Sequence, residues 1–533
     1  MSSASATERL RRLLAPPDSR RARTLLAALR ALSPPEPQPT RRPLVSRPTK
    51  KAVLYLSGRP GATRRYRCDH QAEQLSLLGA AVDVAGLEEV DPQGAFEAYR
   101  VFVLHRVPID VEVETFLEEA RRRRRPVIFD SDDLIFDPEA ELYVPESARR
   151  DDRLRRHADV LTRADAVTVS TEPLRHAASA FHDRVVVTPN VVSAEMVAQA
   201  DAASARRPSG RKTAPVVLAY LSGTPTHDRD FVEAADGVLW ALRTYPDVRL
   251  LVVGHLDVDH RFAEFGERIE RMPVQPWQEL PELLTHVDIN LAPLEAGNPF
   301  SECKSCVKYL EAALLGVPTV ASPRADFARV IQDGRNGLLA EGGAQWRDAL
   351  ERLIESPVLR RDIGHNAWQD VQARHTTGAG ARRAREAFRS LAGESGPLTI
   401  NWLVGEAAGG DADPLSPRGL ARHLAARGHT VRIHPPAGFD RRIPAADVTI
   451  ATDAGSAAVV AGHEESLFKC LYVRGPVADA AAGAPPSLLT ICATADEARA
   501  LTRAGRLAEP LEGASPGACL ESILEEICFV RLQ

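Results

Sequence analysis

No stretch of about eighteen apolar residues occurs in the chain, so no part of it is expected to span a membrane as a helix. The N-terminus also lacks the continuous apolar core of a secretory signal. Cysteines are few: seven, at positions 68, 303, 306, 470, 492, 519 and 528. An odd, dispersed set is unsuited to a disulfide framework and points to a reducing cytoplasm. Positive charge is not in excess. The 67 Lys and Arg against 72 Asp and Glu leave a net charge of −5, which argues against a general nucleic-acid binder. Aromatics make up 5% of residues and there are three Met; beside abundant Ala and Arg, this scarcity reflects compositional bias rather than function.

What is present is the composition of a globular protein, 44% apolar and 26% charged. A length of 533 residues accommodates two to four domains, each with its own core. Residues 1–50 form a basic, Pro-rich N-terminal tail, with ten Arg and Lys50 against Glu8, Asp18 and Glu36. Leu10, Leu13 and Leu14, then Leu25, Leu26 and Leu29, give two short amphipathic helices. The tail reads as solvated, with peripheral contact to a membrane surface as the alternative. At Lys51 a regular alternation begins: strand Ala52–Leu56, helix Tyr66–Leu78, strand Ala81–Val84, then strands Val101–Leu104, Val127–Phe129, Ala166–Val169 and Val185–Thr188. Such alternation implies a doubly wound parallel sheet. It is assigned to a domain over 51–205, with polar Ala198–Ala214 as the linker out of it. A second α/β domain covers 206–395, and a third, degenerate Rossmann-like accessory domain covers 396–533.

The richest segment is Asn298–Ser322, NPFSECKSCVKYLEAALLGVPTVAS. Ser305 is placed to cap a helix in which Val307, Leu310, Ala313 and Leu314 repeat at helical spacing, and Gly316 with Pro318 ends it. A helix start at the carboxyl edge of a parallel sheet is an anion site. Lys304 and Lys308 lie at this start, and Glu311 follows one turn on, a carboxylate able to accept from both hydroxyls of a ribose. Upstream, Ala219–Phe231, AYLSGTPTHDRDF, offers Gly223, Thr224, His227 and Arg229 around a strand-to-helix loop; Asp228 or Thr226 as a simple helix cap is the alternative. Cys303-x-x-Cys306 has no second Cys or His pair to complete a metal site.

These residues resemble the donor-site segment of retaining glycosyltransferases of family 4, which have the two-domain GT-B fold. Leu250–Gly254, Pro276–Leu294, Asp333–Leu339 and a helix over Leu353–His375 resemble further parts of the same domain, and Asp165–Asn190 resembles the end of the acceptor domain. The likeness spans roughly Val53 to His375. It departs at two places: where the family's first glutamate is expected, eight residues before Glu311, stands Cys303, and where the family often has Arg and Lys after the phosphate-loop glycine, Gly223 is followed by Thr224 and later His227, Asp228 and Arg229.

The resemblance implies two Rossmann-like domains facing a cleft, and transfer of a sugar from a nucleotide diphosphate sugar to a saccharide or lipid-linked acceptor. It implies retention of configuration and no metal or other cofactor. Donor binding falls to Gly223, Thr224, Arg229, Lys304, Ser305, Lys308 and Glu311. Catalytic roles fall to Asp132, Asp133 and His227, with Arg65, Arg67 and His105 in the acceptor cleft. Capping of the segment after Asp130-Ser131-Asp132-Asp133 is the structural alternative for those aspartates. A non-catalytic glycosyltransferase-like nucleotide-binding or scaffold protein is the alternative for the whole chain. A dehydrogenase reading is weak, because neither glycine loop is followed by a proper G-x-G-x-x-G and acidic partner.

Overall fold

The alternation from Lys51 onward folds into three sheets of six strands each. The computed structural model describes residues 51–143, 152–206, 215–223, 228–256, 260–389, 397–405, 413–435, 443–474, 484–503, 506–511 and 515–528. The basic tail and its two expected helices lie outside the described residues. The first sheet holds β1 (Lys51–Ser57), β2 (Val82–Gly86), β3 (Tyr99–His105), β4 (Val127–Ser131), β5 (Ala166–Val169) and β6 (Val185–Val187) in the order β2-β1-β3-β4-β5-β6. The second holds β7 (Val216–Ser222), β8 (Val248–Gly254), β9 (Ile269–Met272), β10 (Ile289–Ala292), β11 (Thr319–Ala321) and β12 (Leu338–Leu339) in the order β12-β11-β10-β7-β8-β9. The third holds β13 (Thr399–Leu403), β14 (Thr430–His434), β15 (Ala446–Ala451), β16 (Ser466–Val473), β17 (Leu489–Cys492) and β18 (Ala508–Pro510) in the order β14-β13-β15-β16-β17-β18. All pairings within these sheets are parallel. Helices cover both faces, which is why runs such as Val101–Leu104 are continuously apolar rather than alternating. In each sheet the order reverses beside the first strand, opening a crevice at the carboxyl ends. The expected GT-B arrangement of two such sheets is present, with a third sheet added.

Eight of the helices among the described residues lie around the cleft and the crossover between the first two units. They are α1 (His70–Leu77), α2 (Ala194–Arg206), α3 (Asp228–Thr244), α4 (Pro299–Cys303), α5 (Val307–Leu314), α6 (Ala325–Val330), α7 (Pro357–Arg374) and α8 (Thr377–Arg389). A π turn at Arg65–Asp69 leads into α1. Two expectations need correction. The first part of the polar linker is helical: within α2, Met196, Ala200 and Ala203 bury one face, and the polar residues occupy the other. The expected helix Leu353–His375 is broken at Ser356, whose hydroxyl accepts from the Leu359 amide while Pro357 fills the first helical position.

The third sheet has no separate core on its inner side. Val53, Tyr55 and Leu75 of the first unit, Ala381 and Phe388 of α8, and Ile400, Trp402 and Phe468 of the third unit form one buried cluster. The seam is tight. Lys469 N donates to Gly79 O at 2.7 Å, and Ala81 N to Leu467 O at 2.8 Å. A Cβ on Gly79 would lie 2.2 Å from the Lys469 carbonyl oxygen, and its φ is +83°. Gly79→Ala is therefore expected to cost about 1–3 kcal/mol, read as a lower midpoint in thermal unfolding of the full chain. Among the described residues, no helix is long and apolar enough to cross a membrane.

Candidate functional site

The carboxyl ends of the first two sheets enclose a cavity of about 440 Å³. The first unit lines it with Arg65, Tyr66, Arg106, Asp132 and Asp133. The second contributes Gly223, Trp277, Lys304, Ser305, Lys308 and Glu311. Most of the expected donor-side residues are thus brought together. Among the described residues, nothing lies within 4 Å of where a Cβ on Gly223 would stand. Arg229 is exposed on α3 and is not part of the lining, because the helix turns it outward. Thr224 and His227 lie outside the described residues.

The start of α5 differs from expectation. Ser305 does not cap the helix. The cap position is Cys306, which makes no side-chain cap hydrogen bond, and the Ser305 hydroxyl instead accepts from Asn190 Nδ2 at 2.9 Å. The amides of the first helical turn therefore face the cavity end without a capping side chain. Lys308, in that turn, has its Nζ buried without a hydrogen-bond partner among the described residues, 4.3 Å from the centre of the Tyr220 ring. Burial, with Lys304 nearby, pushes its pKa down to about 7. Lys304 is committed elsewhere: its Nζ lies 2.6 Å from Asp230 Oδ2, a buried carboxylate that also accepts from Ser301 Oγ and Glu295 N.

Glu311 is held from across the cleft. Tyr66 Oη donates to its Oε1 at 2.8 Å, and Arg65 Nη2 lies 3.7 Å from the same oxygen. Burial raises the Glu311 carboxyl, against the Tyr66 hydrogen bond and the Arg65 and Lys308 charges. The Arg65 guanidinium sits 5.1 Å from the ring centres of both Tyr66 and Trp277.

Opposite these groups, Arg106 Nε donates to Asp132 at 2.6 Å, and its Nη2 lies 3.4 Å from Asp133. Burial acts to raise Asp132, but Arg106, then His105 and Arg67, hold it below the usual carboxylate value. Asp133 is raised, by burial and by Asp132 beside it, despite Arg106. Arg106 has φ +50°, a left-handed conformation unfavourable for a non-glycine residue. Its carbonyl would lie 2.5 Å from a Cβ on Gly58, so the glycine makes room for it. Sequence reading missed Arg106, Tyr66 and Trp277 as site residues. A backbone conformation fixed by tertiary contacts leaves no local signal, whereas a Trp directly after Pro276 in a loop was a usable one.

Arg67 and His105, expected in the cleft, are buried behind its wall. Arg67 donates to both oxygens of Asp130, at 3.0 and 2.6 Å, and also to Thr188 and Asn190. His105 Nδ1 and Thr168 Oγ1 complete the shell of Asp130 at 3.0 and 2.7 Å. Because Asp130 only accepts, His105 carries its proton on Nδ1. Neither Arg67 nor His105 lines the cavity.

Cys303 packs into the first unit's core, and its backbone carbonyl accepts from Thr171 Oγ1 at 2.9 Å. Burial pushes its thiol up to about 12, which disfavours the thiolate that a nucleophile or a metal ligand needs. Glu302 beside it reaches towards Arg324 at 3.5 Å instead of the cavity. Among the described residues, the one group with metal-ligand spacing is His429, Glu521 and Glu525. There His429 Nδ1 accepts from Leu398 N, so Nε2 keeps its proton and points it at Glu521, which Arg427 also engages. That arrangement is an ion-pair cluster, not a metal centre.

Residues 228–356 match the family model described as Glycosyl transferases group 1. The chain is similar to the D-inositol 3-phosphate glycosyltransferase of Pseudarthrobacter chlorophenolicus, 30% identical over 241 residues, covering 42% of this chain and 54% of that protein. It is 29% identical over 130 residues to the phosphatidyl-myo-inositol mannosyltransferase of Mycobacterium leprae, covering 24% of this chain and 33% of the relative. The chain thus spans about half the length, or less, of these curated relatives. Among solved structures, Anabaena HepE in complex with UDP and glucose aligns with 64% of this chain and 100% of its own, at 15% identity and a TM-score of 0.47.

Proposed function

We propose that the chain is a glycosyltransferase, moving a sugar from a nucleotide diphosphate sugar to a saccharide or lipid-linked acceptor in the synthesis of a surface polysaccharide or glycoconjugate. The observation that carries this reading is the pairing, in one cavity, of the uncapped start of α5 and the buried ammonium of Lys308, which has no hydrogen-bond partner among the described residues, with Glu311 one turn further on. The helix amides and Lys308 would take the diphosphate. Glu311 would accept from the ribose hydroxyls through Oε2, since both its protein contacts fall on Oε1. Trp277, Val253 and Val274 give the base an apolar wall.

The sugar would then extend towards Asp132, Asp133 and Arg106. Asp132, held ionised, suits the orientation of hydroxyls. Asp133, held up, suits the exchange of a proton with the acceptor. Thr224 and His227 are assigned to the phosphate loop after Gly223, and Ser305, anchored by Asn190, to the floor beneath the diphosphate. Stabilisation of the leaving diphosphate by helix dipole and ammonium supplies the electrostatic part of catalysis without a metal, and the family resemblance supports retention of configuration. The relatives named for inositol phosphate and phosphatidyl-inositol fit an acceptor hydroxyl on a polyol or lipid headgroup. The work is assigned to the cytoplasm, with peripheral membrane contact through the basic tail as the alternative to a solvated tail.

Lys308 supplies the test. A diphosphate beside it favours the ammonium and raises its pKa, so binding above its free value of about 7 must take up a proton. Calorimetry with UDP, GDP and dTDP in buffers of different ionisation enthalpy is expected to show uptake of about one proton at pH 8–9 for the nucleotide that binds, with affinity falling as pH rises. Lys308→Ala abolishes the uptake. Binding without proton uptake would place the diphosphate elsewhere.

A further inference from the structure

A second cavity, of about 790 Å³, lies at the amino ends of β10 and β11, at the opposite end of the second sheet from the cleft. Asp288 stands directly before β10 and Pro318 directly before β11, and both line it. Two helices supply its walls. Arg361, His365 and Trp368 recur on one side of α7 at steps of four and three residues, and Asp201 and Ser204 lie three apart on one side of α2. The turn after α5, residues 314–318, completes the lining. α7 rests directly on that turn: a Cβ on Gly364 would lie 1.9 Å from the Gly316 carbonyl oxygen, so only glycine permits the approach. The site is thus carried by packed helices rather than by a free loop.

Within it, Trp368 is 36% exposed, while Trp346 and Trp402 are fully buried and Trp240 and Trp277 half-buried. Its indole lies nearly parallel to the His365 imidazole, with ring centres 6.0 Å apart and planes at 19°. Gln369 Nε2 lies 2.9 Å from His365 Nε2 and steadies that ring. The pair forms a flat aromatic surface, and the negative face of such rings attracts polarised C–H groups. Around it stand hydrogen-bonding groups of both kinds. The Arg361 guanidinium, the Asp201 carboxylate and the Ser204 hydroxyl are exposed and engaged by no ion pair or side-chain hydrogen bond among the described residues. Arg360 and Asp288 are tied into the fold instead: Arg360 Nη1 donates to Ile354 O at 2.9 Å, and Asp288 Oδ2 accepts from Val217 N at 2.9 Å. The charged lining is two arginines against two aspartates, with no excess of either sign. A highly charged ligand gains no net attraction there, and an apolar one would bury charges without pairing them. A neutral ligand with many hydroxyls and an apolar ring face suits both features. The volume falls within the range of about 300–1,000 Å³ that holds whole small ligands.

We propose that this groove is a saccharide-binding site, in which the C–H face of a neutral sugar ring stacks on Trp368 while Arg361, Asp201 and Ser204 hydrogen-bond the hydroxyls of that sugar and of the next. Lying at the far end of the sheet, it anchors a glycan without reacting with it, and it does not rest on the transfer reaction proposed for the cleft.

Titration calorimetry of the full chain with maltotriose, cellotriose and mannotriose is the test. At least one of them is expected to bind wild type at millimolar concentration. Trp368→Ala is expected to weaken that binding about tenfold or more, because the stacking surface is removed. Trp368→Phe keeps a ring and should retain most of it. Arg361→Ala, a second change at an exposed side chain, should weaken it severalfold, so the outcome does not hang on how well one variant folds. Glu311→Ala, altered in the cleft, should bind the trisaccharide as wild type does, and a sulfated disaccharide should bind less tightly than the neutral sugars. The proposal is overturned if no trisaccharide binds wild type, if Trp368→Ala or Arg361→Ala binds as wild type does, or if Trp368→Phe is as weak as Trp368→Ala. It is equally overturned if Glu311→Ala abolishes binding or if the sulfated sugar binds more tightly. Self-association of wild type that Trp368→Ala removes, with no saccharide bound, would make the groove an interface between copies instead.

Discussion

Asp130→Ala is expected to destabilise the protein by about 3–5 kcal/mol, the largest effect of any single substitution near the cleft. Arg67 and Asp130 have side chains 0% and 2% exposed, so removing the carboxylate strands a guanidinium in the core of the first unit. Thr168 Oγ1 and His105 Nδ1 lose their acceptor at the same stroke. Chemical denaturation of the full chain, followed by the first transition, checks this. Burial alone would raise the Asp130 carboxyl, but Arg67 and His105 hold it far below the ordinary carboxylate range. The stability it contributes is thus complete above its unfolded value of about 4 and is lost only as pH falls through the much lower folded value. Asp130→Ala should therefore flatten the acid limb of the stability profile as well as lower the plateau. A variant as stable as wild type would mean that Arg67 is solvated in solution and belongs to the cleft after all.

Glu311→Ala is expected to lower kcat/KM for the donor by roughly 10²–10³-fold with the fold intact, because two hydrogen bonds to a charged acceptor are lost. The loss should fall mainly on the donor KM, as expected for a group that holds the ribose rather than the reacting bond. Tyr66→Phe should cost far less, about tenfold or below, since it removes a neutral donor that orients Glu311 from 2.8 Å without touching the nucleotide in this reading. Steady-state kinetics against donor concentration separates the two. A Glu311→Ala enzyme with unchanged KM would remove the ribose from that carboxylate.

The contrast between Arg65 and Arg67 shows how far the sequence could be read. Both stand in a basic run after the first strand, and both look like cleft residues. They are two positions apart in a helical stretch, however, and residues so spaced do not share a face. One had to enter the wall if the other faced the cavity, and the buried acceptors on Asp130, Thr188 and Asn190 decide which. Glu311 and Lys308 were legible because their helix is long enough to impose its own period on a strongly apolar face. Ser305 was not, since its hydroxyl is taken by Asn190, 115 residues away in the chain. The partnership of the third sheet with the first was also hidden. It rests on a seam at Gly79 and on apolar residues in three distant segments, each unremarkable by itself.

The central claim is that the cleft turns over a nucleotide diphosphate sugar. Its most direct measurement is the release of nucleoside diphosphate from UDP-, GDP- and dTDP-sugars by the full chain, with a chelator present, in the absence and presence of a polyol or lipid-linked saccharide acceptor. One donor should be consumed, slowly alone and faster with acceptor, and at donor concentrations below KM both rates should collapse in Glu311→Ala and Lys308→Ala. If every donor is left intact while the nucleotide still binds, the chain is a nucleotide-binding scaffold; if none binds or reacts, the donor site itself is refuted.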